Sequence, residues 1–211
     1  MGHRGSSSCA AGPSRCADQA LRLEQIRADV SRRLSGHRLE HVLNVASMCV
    51  ELADLYGVDA FEAEAAGLLH DWDKKLPSEE LWRKAEEFGV DLGDRDPRME
   101  PLLHGWTAAA SLPAAYPELP ASVFCAIERH TVGAVSMTPL DMAVYVADML
   151  EPTRRGPVFD ELRAMLGRAT LVELFAACLR RSLTYLLETG RYVYPGAAEV
   201  WNAYCAHVPA R

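Results

Sequence analysis

The chain has 211 residues, of which 49% are hydrophobic, and it carries a formal net charge of −7. This length and apolar content suit one well-filled core, and they exclude collagen, a coiled-coil rod and wholesale disorder. The acidic balance argues against a surface that tracks the phosphates of nucleic acid, but it is compatible with a small anionic ligand held by metals.

The N-terminal region lacks apolar periodicity. Residues 1–17 are rich in Gly, Ser and Ala, without the apolar core of a secretory signal, and no run in the chain approaches the roughly 20 apolar residues that span a bilayer. The six cysteines form no C-x-x-C pair and are predicted to be reduced thiols. We therefore predict a disordered tail over 1–17, a single domain over 18–208, a cytoplasmic location, and no membrane or nucleic-acid partner.

Apolar residues recur at helical spacing beyond the tail. A first helix is predicted from Asp18 to near residue 36 and a second from about residue 37 to Tyr56. A third opens at Asp59, with Glu62 three residues later as in a capping box, and a fourth follows from Ser78. The third helix consists largely of small and apolar residues. It ends at the pair His70-Asp71, which the cationic residues Lys74 and Lys75 follow.

Each of the next three predicted helices begins near a proline and carries one candidate ligand. The pairs are Pro101 with His104 on a short helix, Pro120 with His130, and Pro139 with Asp148. Further helices are predicted around 162–166, 171–187 and 197–204. No segment shows sustained strand alternation, so the fold class is predicted to be all-α.

Six imidazole and carboxylate side chains in these helices are candidate metal ligands. They are His41, His70, Asp71, His104, His130 and Asp148. Asp148 continues an apolar row of its helix, which predicts that its carboxylate is buried. An internal salt bridge is the alternative to metal binding as the reason for a carboxylate at this position. Each of the separate histidines would by itself also fit an ordinary core position. Together the six supply nitrogen and oxygen ligands for two divalent metals, which favours catalytic metals over a structural thiolate zinc site.

The ordered set H…HD…D, carried by His41, His70-Asp71 and Asp148, resembles the signature of HD-domain metal-dependent phosphohydrolases. The resemblance is closer to the YqeK family, the symmetrical bis(5′-nucleosyl)-tetraphosphatases, and it covers residues 32–205. The segments that carry it are HRLEHVLNVA, LLHDWDKKLP, LLHGWTAA, AIERHTVG, MTPLDMAVYVADMLEPTRR and YVYPGAAEVWNAY.

The resemblance implies an HD-domain helical bundle with additional C-terminal helices that cleaves diadenosine tetraphosphate and related dinucleoside polyphosphates symmetrically, giving two ADP. The nucleophile would be a hydroxide that bridges two divalent transition metals. Iron is favoured, with manganese, cobalt or zinc as alternatives. The implied first metal is held by His41, His70, Asp71 and Asp148, and Asp71 bridges to a second held by His104 and His130.

Five residues are predicted to bind the nucleotide substrate: Arg38, Lys74, Thr131, Gly133 and Arg154. Lys74 lies one helical turn after His70 and is the first choice for stabilising phosphate charge, so His70, Asp71 and Lys74 form the predicted catalytic set. A surface or capping role is the alternative for the two arginines, and a turn alone would explain Gly133. Asp73 stands where the family favours a small residue, and its role is open.

Three classes of function are compatible with these residues. The first is the dinucleoside tetraphosphate hydrolase. The second is another HD-fold enzyme, either a nucleotide phosphohydrolase or a mixed-valent di-iron oxygenase, and the third is a non-catalytic nucleotide sensor. The reaction products and any oxygen requirement separate them. A homodimer is left open.

Overall fold

The structure is a computed structural model that describes residues 13–91 and 96–208. Over these two ranges it contains α-helices and two short 3-10 helices, 97–99 and 205–207, and no β-strand. The α-helices are α1 (Pro13–Arg33), α2 (Gly36–Tyr56), α3 (Ala60–Leu69), α4 (Ser78–Glu87), α5 (Glu100–Ala115), α6 (Ala121–Arg129), α7 (Pro139–Leu150), α8 (Pro157–Arg163), α9 (Leu171–Glu188) and α10 (Ala197–Tyr204). The predicted all-α class is confirmed. In the two described ranges, no helix is both long enough and apolar enough to cross a membrane.

The first helix begins earlier than predicted. α1 starts at Pro13, not at Asp18, so residues 13–17 are helical and the predicted tail over 1–17 is wrong for them. Proline suits the first turn of a helix because its missing N–H has no intrahelical partner there. Residues 1–12, where the rest of the predicted tail falls, lie outside the described residues.

The helix that carries His104 is longer than predicted. α5 runs for 16 residues from Glu100 to Ala115 and continues through Pro113, which lies in its last turn. The predicted short helix is therefore wrong in length, although its position near Pro101 is right. Its buried residues include Leu103, His104 and Leu112, and this burial stabilises the helix despite the proline.

Helices α2 and α3 approach each other closely at Gly67. A Cβ atom at this position would lie 2.8 Å from the Cα of Ala46, a distance at which one helix would have to move. The absence of a side chain thus lets the end of α3, which carries His70, pack directly on α2, which carries His41.

A second close approach joins α5 and α6 at Gly105. A Cβ atom there would lie 3.0 Å from Cε1 of His130 and 3.2 Å from the carbonyl oxygen of Ile127. Since Gly105 follows His104 directly, this contact fixes the distance between the two histidines. Two glycines therefore position the four helix segments that carry the candidate histidines.

The C-terminal helices cover the far side of α7. The ring of Phe175 on α9 packs edge-on against Tyr145 of α7 at 5.0 Å and against Tyr204 of α10 at 4.9 Å. The additional C-terminal helices predicted from the sequence are thus anchored to the same core as the candidate ligands.

Candidate metal centre

The structure brings the six predicted ligands together at one end of the helical core. His41 lies on α2, His70 and Asp71 follow directly after α3, and Asp148 lies near the end of α7. His104 lies on α5, and His130 follows directly after α6. The four imidazoles and Asp71 are buried.

Three of the four imidazoles are oriented by the backbone of their own helix. Nδ1 of His70, His104 and His130 lies 2.7, 3.0 and 2.6 Å from the carbonyl oxygen three residues earlier in each case. A carbonyl oxygen can only accept a hydrogen bond, so each Nδ1 donates, and the Nε2 of each neutral ring keeps its lone pair. These lone pairs are available to a cation in the centre.

The Nε2 atoms form two pairs. Nε2 of His41 and Nε2 of His70 are 3.4 Å apart, and Nε2 of His104 and Nε2 of His130 are 3.1 Å apart. Asp71 lies between the pairs: Oδ1 is 3.2 Å from Nε2 of His104, and Oδ2 is 3.6 Å from Nε2 of His70. One carboxylate therefore faces both imidazole pairs, each with a different oxygen.

The donor set fits divalent metals. Burial lowers the pKa of His130 to about 3, and burial also lowers the pKa of His104. At neutral pH two neutral rings therefore turn their Nε2 lone pairs toward each other and toward the Asp71 carboxylate. Lone pairs at this distance repel unless a cation lies among them. A site with only imidazole and carboxylate donors suits iron, manganese, cobalt or zinc.

The charges of the centre reinforce one another. Burial by itself would raise the pKa of Asp71, but the neighbouring histidines outweigh it and hold this pKa well below its usual range. Burial by itself would lower the pKa of His41. The hydrogen bond to Asp148 outweighs this effect, and the net change is a rise of the His41 pKa. The carboxylates are thus ionised and the centre attracts cations.

Asp148 lies at the edge of the centre and is less buried than its apolar row predicted. Its Oδ1 is 3.2 Å from Nε2 of His41, but its side chain is 28% exposed. Arg154 donates to the same oxygen from 3.1 Å. Asp148 therefore lies between the His41–His70 pair and solvent, a position open to a substrate.

Three cations surround the centre. Arg38 donates from Nη1 to Oδ2 of Asp71 at 2.5 Å, and Nζ of Lys74 is 3.3 Å from Nε2 of His104. Arg154 contacts Asp148 as described above. The predicted phosphate-binding residues therefore all lie against candidate metal ligands, where anionic oxygens of a substrate would meet them.

An apolar cleft of about 380 Å³ lies beside the centre. Thr131 and Pro101 connect the two: both line the cleft, while Oγ1 of Thr131 is 3.1 Å from Nε2 of His130 and the carbonyl of Pro101 accepts from His104. The other lining residues are Arg98, Leu102, Val132, Tyr145, Leu179, Ser182, Leu183, Leu186, Arg191, Tyr192, Tyr194 and Ala197. This size and lining are typical of a small-molecule site.

Gly133 serves the turn after α6. Its φ of 74° lies in the left-handed region, and a Cβ atom there would lie 3.0 Å from Cγ1 of Val200. The described contacts therefore place Gly133 against α10, and its predicted contact with the nucleotide stays a prediction.

Two buried carboxylates near the centre escaped assignment from the sequence. Glu151 is 1% exposed, and its Oε1 is 3.2 Å from Nδ1 of His41. Asp73 is fully buried between Arg33 and Lys84 and accepts a hydrogen bond from Thr107. Because their partners lie on other helices, neither role has a signal in local sequence, although the segment EPTRR contains Glu151.

A comparison with protein families matches residues 38–153 to the HD domain, a range that includes all six candidate ligands. The chain therefore belongs to the HD domain family.

Within this family, the chain is similar to proteins named "Bis(5′-nucleosyl)-tetraphosphatase, symmetrical". It is 30% identical to the one from Bacillus subtilis over 85% of this chain and 95% of the relative, and 28% identical to the one from Staphylococcus aureus over 87% and 95%. A crystal structure of a predicted HD superfamily hydrolase involved in NAD metabolism, from Clostridium acetobutylicum, matches with a TM-score of 0.80 and 30% identity over 87% of this chain and 96% of that one. The resemblance to the tetraphosphatases that the sequence motifs indicated is confirmed.

Proposed function

We propose that this protein hydrolyses diadenosine tetraphosphate and related dinucleoside polyphosphates symmetrically, to two ADP. The observation that carries the proposal is the position of Asp71 between two imidazole pairs, with three cations around them and an apolar cleft alongside. The names of the relatives from Bacillus subtilis and Staphylococcus aureus support the same activity.

Six residues would hold two divalent metals in the proposed enzyme. His41, His70 and Asp148 would bind one, His104 and His130 the other, and Asp71 both, and iron is the favoured metal. Metals bound there would supply an activated water at neutral pH and would neutralise charge on the phosphates. The pairing of the Nε2 atoms and the two-sided position of Asp71 support this division.

The three cations act on the phosphate chain. Arg38 donates to the Asp71 carboxylate in the centre and Arg154 to the Asp148 carboxylate at its edge, so incoming phosphate oxygens can take these hydrogen bonds and orient the phosphate chain. Lys74 is nearest to the His104–His130 pair, and we assign it to the charge that develops on the leaving diphosphate. Burial lowers the pKa of Lys74, and Asp71 counteracts this effect and favours its charged form.

The cleft would hold one nucleoside of the substrate. Its lining includes the rings of Tyr145, Tyr192 and Tyr194, which offer apolar and stacking contacts to a base. Thr131 marks the passage from cleft to centre, where we place the phosphates nearest this nucleoside. With that nucleoside in the cleft, cleavage beyond its second phosphate releases ADP.

The test is incubation of the metal-loaded protein with diadenosine tetraphosphate under anaerobic conditions, followed by separation of the nucleotides. We expect ADP as the only product, and in a parallel incubation in air we expect the same product without oxygen uptake. ATP plus AMP would contradict symmetrical cleavage, and oxygen-dependent turnover would favour the oxygenase alternative. Binding without any turnover would favour the nucleotide sensor. A cytoplasmic location and a homodimer stay predictions from the sequence.

A further inference from the structure

Glu151 is the first residue after α7, and its buried carboxylate reaches His41 on α2. Oε1 lies 3.2 Å from Nδ1 of His41. Oε2 accepts from the backbone N–H of Thr153 at 2.7 Å, and the hydroxyl of Thr153 also donates to Oε1. The carboxylate can only accept when ionised, so His41 must donate from Nδ1. The Nε2 of His41 is then the nitrogen that faces the centre, 3.4 Å from Nε2 of His70 and 3.2 Å from Oδ1 of Asp148.

His41 differs in this respect from the other three histidines. Their Nδ1 atoms donate to backbone carbonyls of their own helix or turn, at distances of 2.6 to 3.0 Å. The orientation of His70, His104 and His130 is therefore fixed wherever the helix forms. For His41, the group that faces Nδ1 is instead a side chain that follows α7, 110 positions along the chain.

We propose that Glu151 is a positioning residue of the metal centre, which holds His41 in the tautomer and orientation that present Nε2 to a divalent metal. This inference rests on the metal centre of the proposed function and adds a residue to it. A carboxylate on the distal nitrogen of a metal-binding histidine also raises the basicity of the ring, which strengthens the metal bond.

The backbone around Glu151 is fixed by hydrogen bonds from α8. The guanidinium of Arg163 on α8 donates to the carbonyl oxygens of Leu150 and Glu151, both at 2.9 Å, and of Arg154 at 2.7 Å. The bond to Leu150 satisfies a carbonyl that the end of α7 leaves without an intrahelical partner, and the other two tie the following turn to α8. The Glu151 carboxylate thus stands on a fixed backbone, as the positioning of a ligand requires.

The alternative role for Glu151 is purely local, because its bonds to Thr153 close the turn after α7. Two variants separate the roles. Glu151→Gln keeps the size and an oxygen that can accept from His41, but removes the negative charge. Thr153→Ala is the matched control, since it removes the hydroxyl bond of the turn and leaves the contact between Glu151 and His41.

The experiment is a titration of each metal-free variant with Mn²⁺ in the absence of nucleotide, with the unfolding temperature recorded before metal is added. We expect Glu151→Gln to bind Mn²⁺ about 10–100-fold more weakly than wild type. Thr153→Ala should bind it like wild type. Saturating Mn²⁺ should restore much of the turnover of Glu151→Gln, because the catalytic groups are unchanged.

Unaltered Mn²⁺ affinity in Glu151→Gln overturns the proposal, and so does an equal loss in Thr153→Ala. If Glu151→Gln does not fold, Glu151→Asp takes its place: the charge remains but the carboxylate is one methylene short of His41, so weaker Mn²⁺ binding supports the proposal and wild-type binding overturns it. If wild type itself binds no Mn²⁺, the metal centre fails and the role of Glu151 fails with it.

Discussion

The candidate ligands of the metal centre and the lining of the cleft are held in different ways. Each of His70, His104 and His130 is hydrogen-bonded to its own backbone three residues earlier, and glycines bring the helices that carry them into contact. The cleft is instead lined from five separate segments, 98–102, 131–132, 145, 179–186 and 191–197. We expect changes in the centre to affect metal and turnover together, and changes in the cleft to affect substrate affinity alone.

The substitution His70→Ala should have the largest effect. It removes a fully buried imidazole that faces both His41 and Asp71. Loss of a direct ligand should reduce metal affinity and ADP formation by more than the roughly 10–100-fold that outer partners of metal ligands contribute. His37→Ala is the control, because His37 is fully exposed at the start of α2. Full activity of the His70→Ala variant would remove it from the centre.

Asp73→Asn should lower the free energy of unfolding by about 3 kcal/mol, because it leaves Arg33, Lys84 and the buried hydroxyl of Thr107 without their common acceptor charge. Urea denaturation of the metal-free protein measures this loss. Asp54→Asn, at an exposed position of α2, should change it by less than about 0.5 kcal/mol. Equal stabilities of the two variants would mean that the Asp73 network does not stabilise the fold.

Lys74→Ala should lower kcat/KM by about 10²-fold while metal affinity stays close to that of wild type, since the role proposed for Lys74 is to stabilise phosphate charge and not to bind metal. Lys75→Ala is the matched control on the exposed neighbour. Unchanged kinetics of the Lys74→Ala variant would remove this residue from the phosphate role.

Tyr192→Ala should weaken substrate binding by about tenfold through lost contact with a base, with kcat and metal content unchanged. Tyr185 on α9 is 40% exposed and outside the cleft lining, so Tyr185→Ala serves as the control. An equal change in KM for the two variants would show that the cleft does not hold the nucleoside.

Local signals predicted most of the helices and the identity of the clustered residues. Asp59 accepts from the N–H of Glu62, the pair that predicted the start of α3, and Pro101 and Pro139 lie in the first turns of α5 and α7. Periodicity alone could not reveal that Asp148 reaches the surface or that α5 continues to Ala115, because neighbouring helices decide both.

The cleft and Glu151 lay beyond prediction for a related reason. Their contacts join segments up to 110 positions apart, and no spacing rule connects such residues. The reactive side chains at the helix ends could be predicted from local sequence. The residues that helix packing places next to them could not.

The pH dependence of stability tests the burial of the neutral imidazoles in the centre. Burial lowers the pKa of His130 to about 3. Between this pH and about pH 6.5, His130 therefore binds a proton in the unfolded chain but not in the folded protein. Stability of the metal-free protein should therefore fall as the pH drops below 6.5, by up to about 1.4 kcal/mol per pH unit from this residue. Urea unfolding of His130→Gln should show a shallower fall than wild type, and identical slopes would contradict the burial of a neutral ring.

The most direct measurement of the central claim is ADP formation from diadenosine tetraphosphate as metal-free protein is titrated anaerobically with Mn²⁺ or Fe²⁺. We expect no ADP without metal and a rate that saturates near two equivalents per chain, as two imidazole pairs that share Asp71 require. ADP formation at full rate in protein freed of metal by a chelator would contradict the role of this centre.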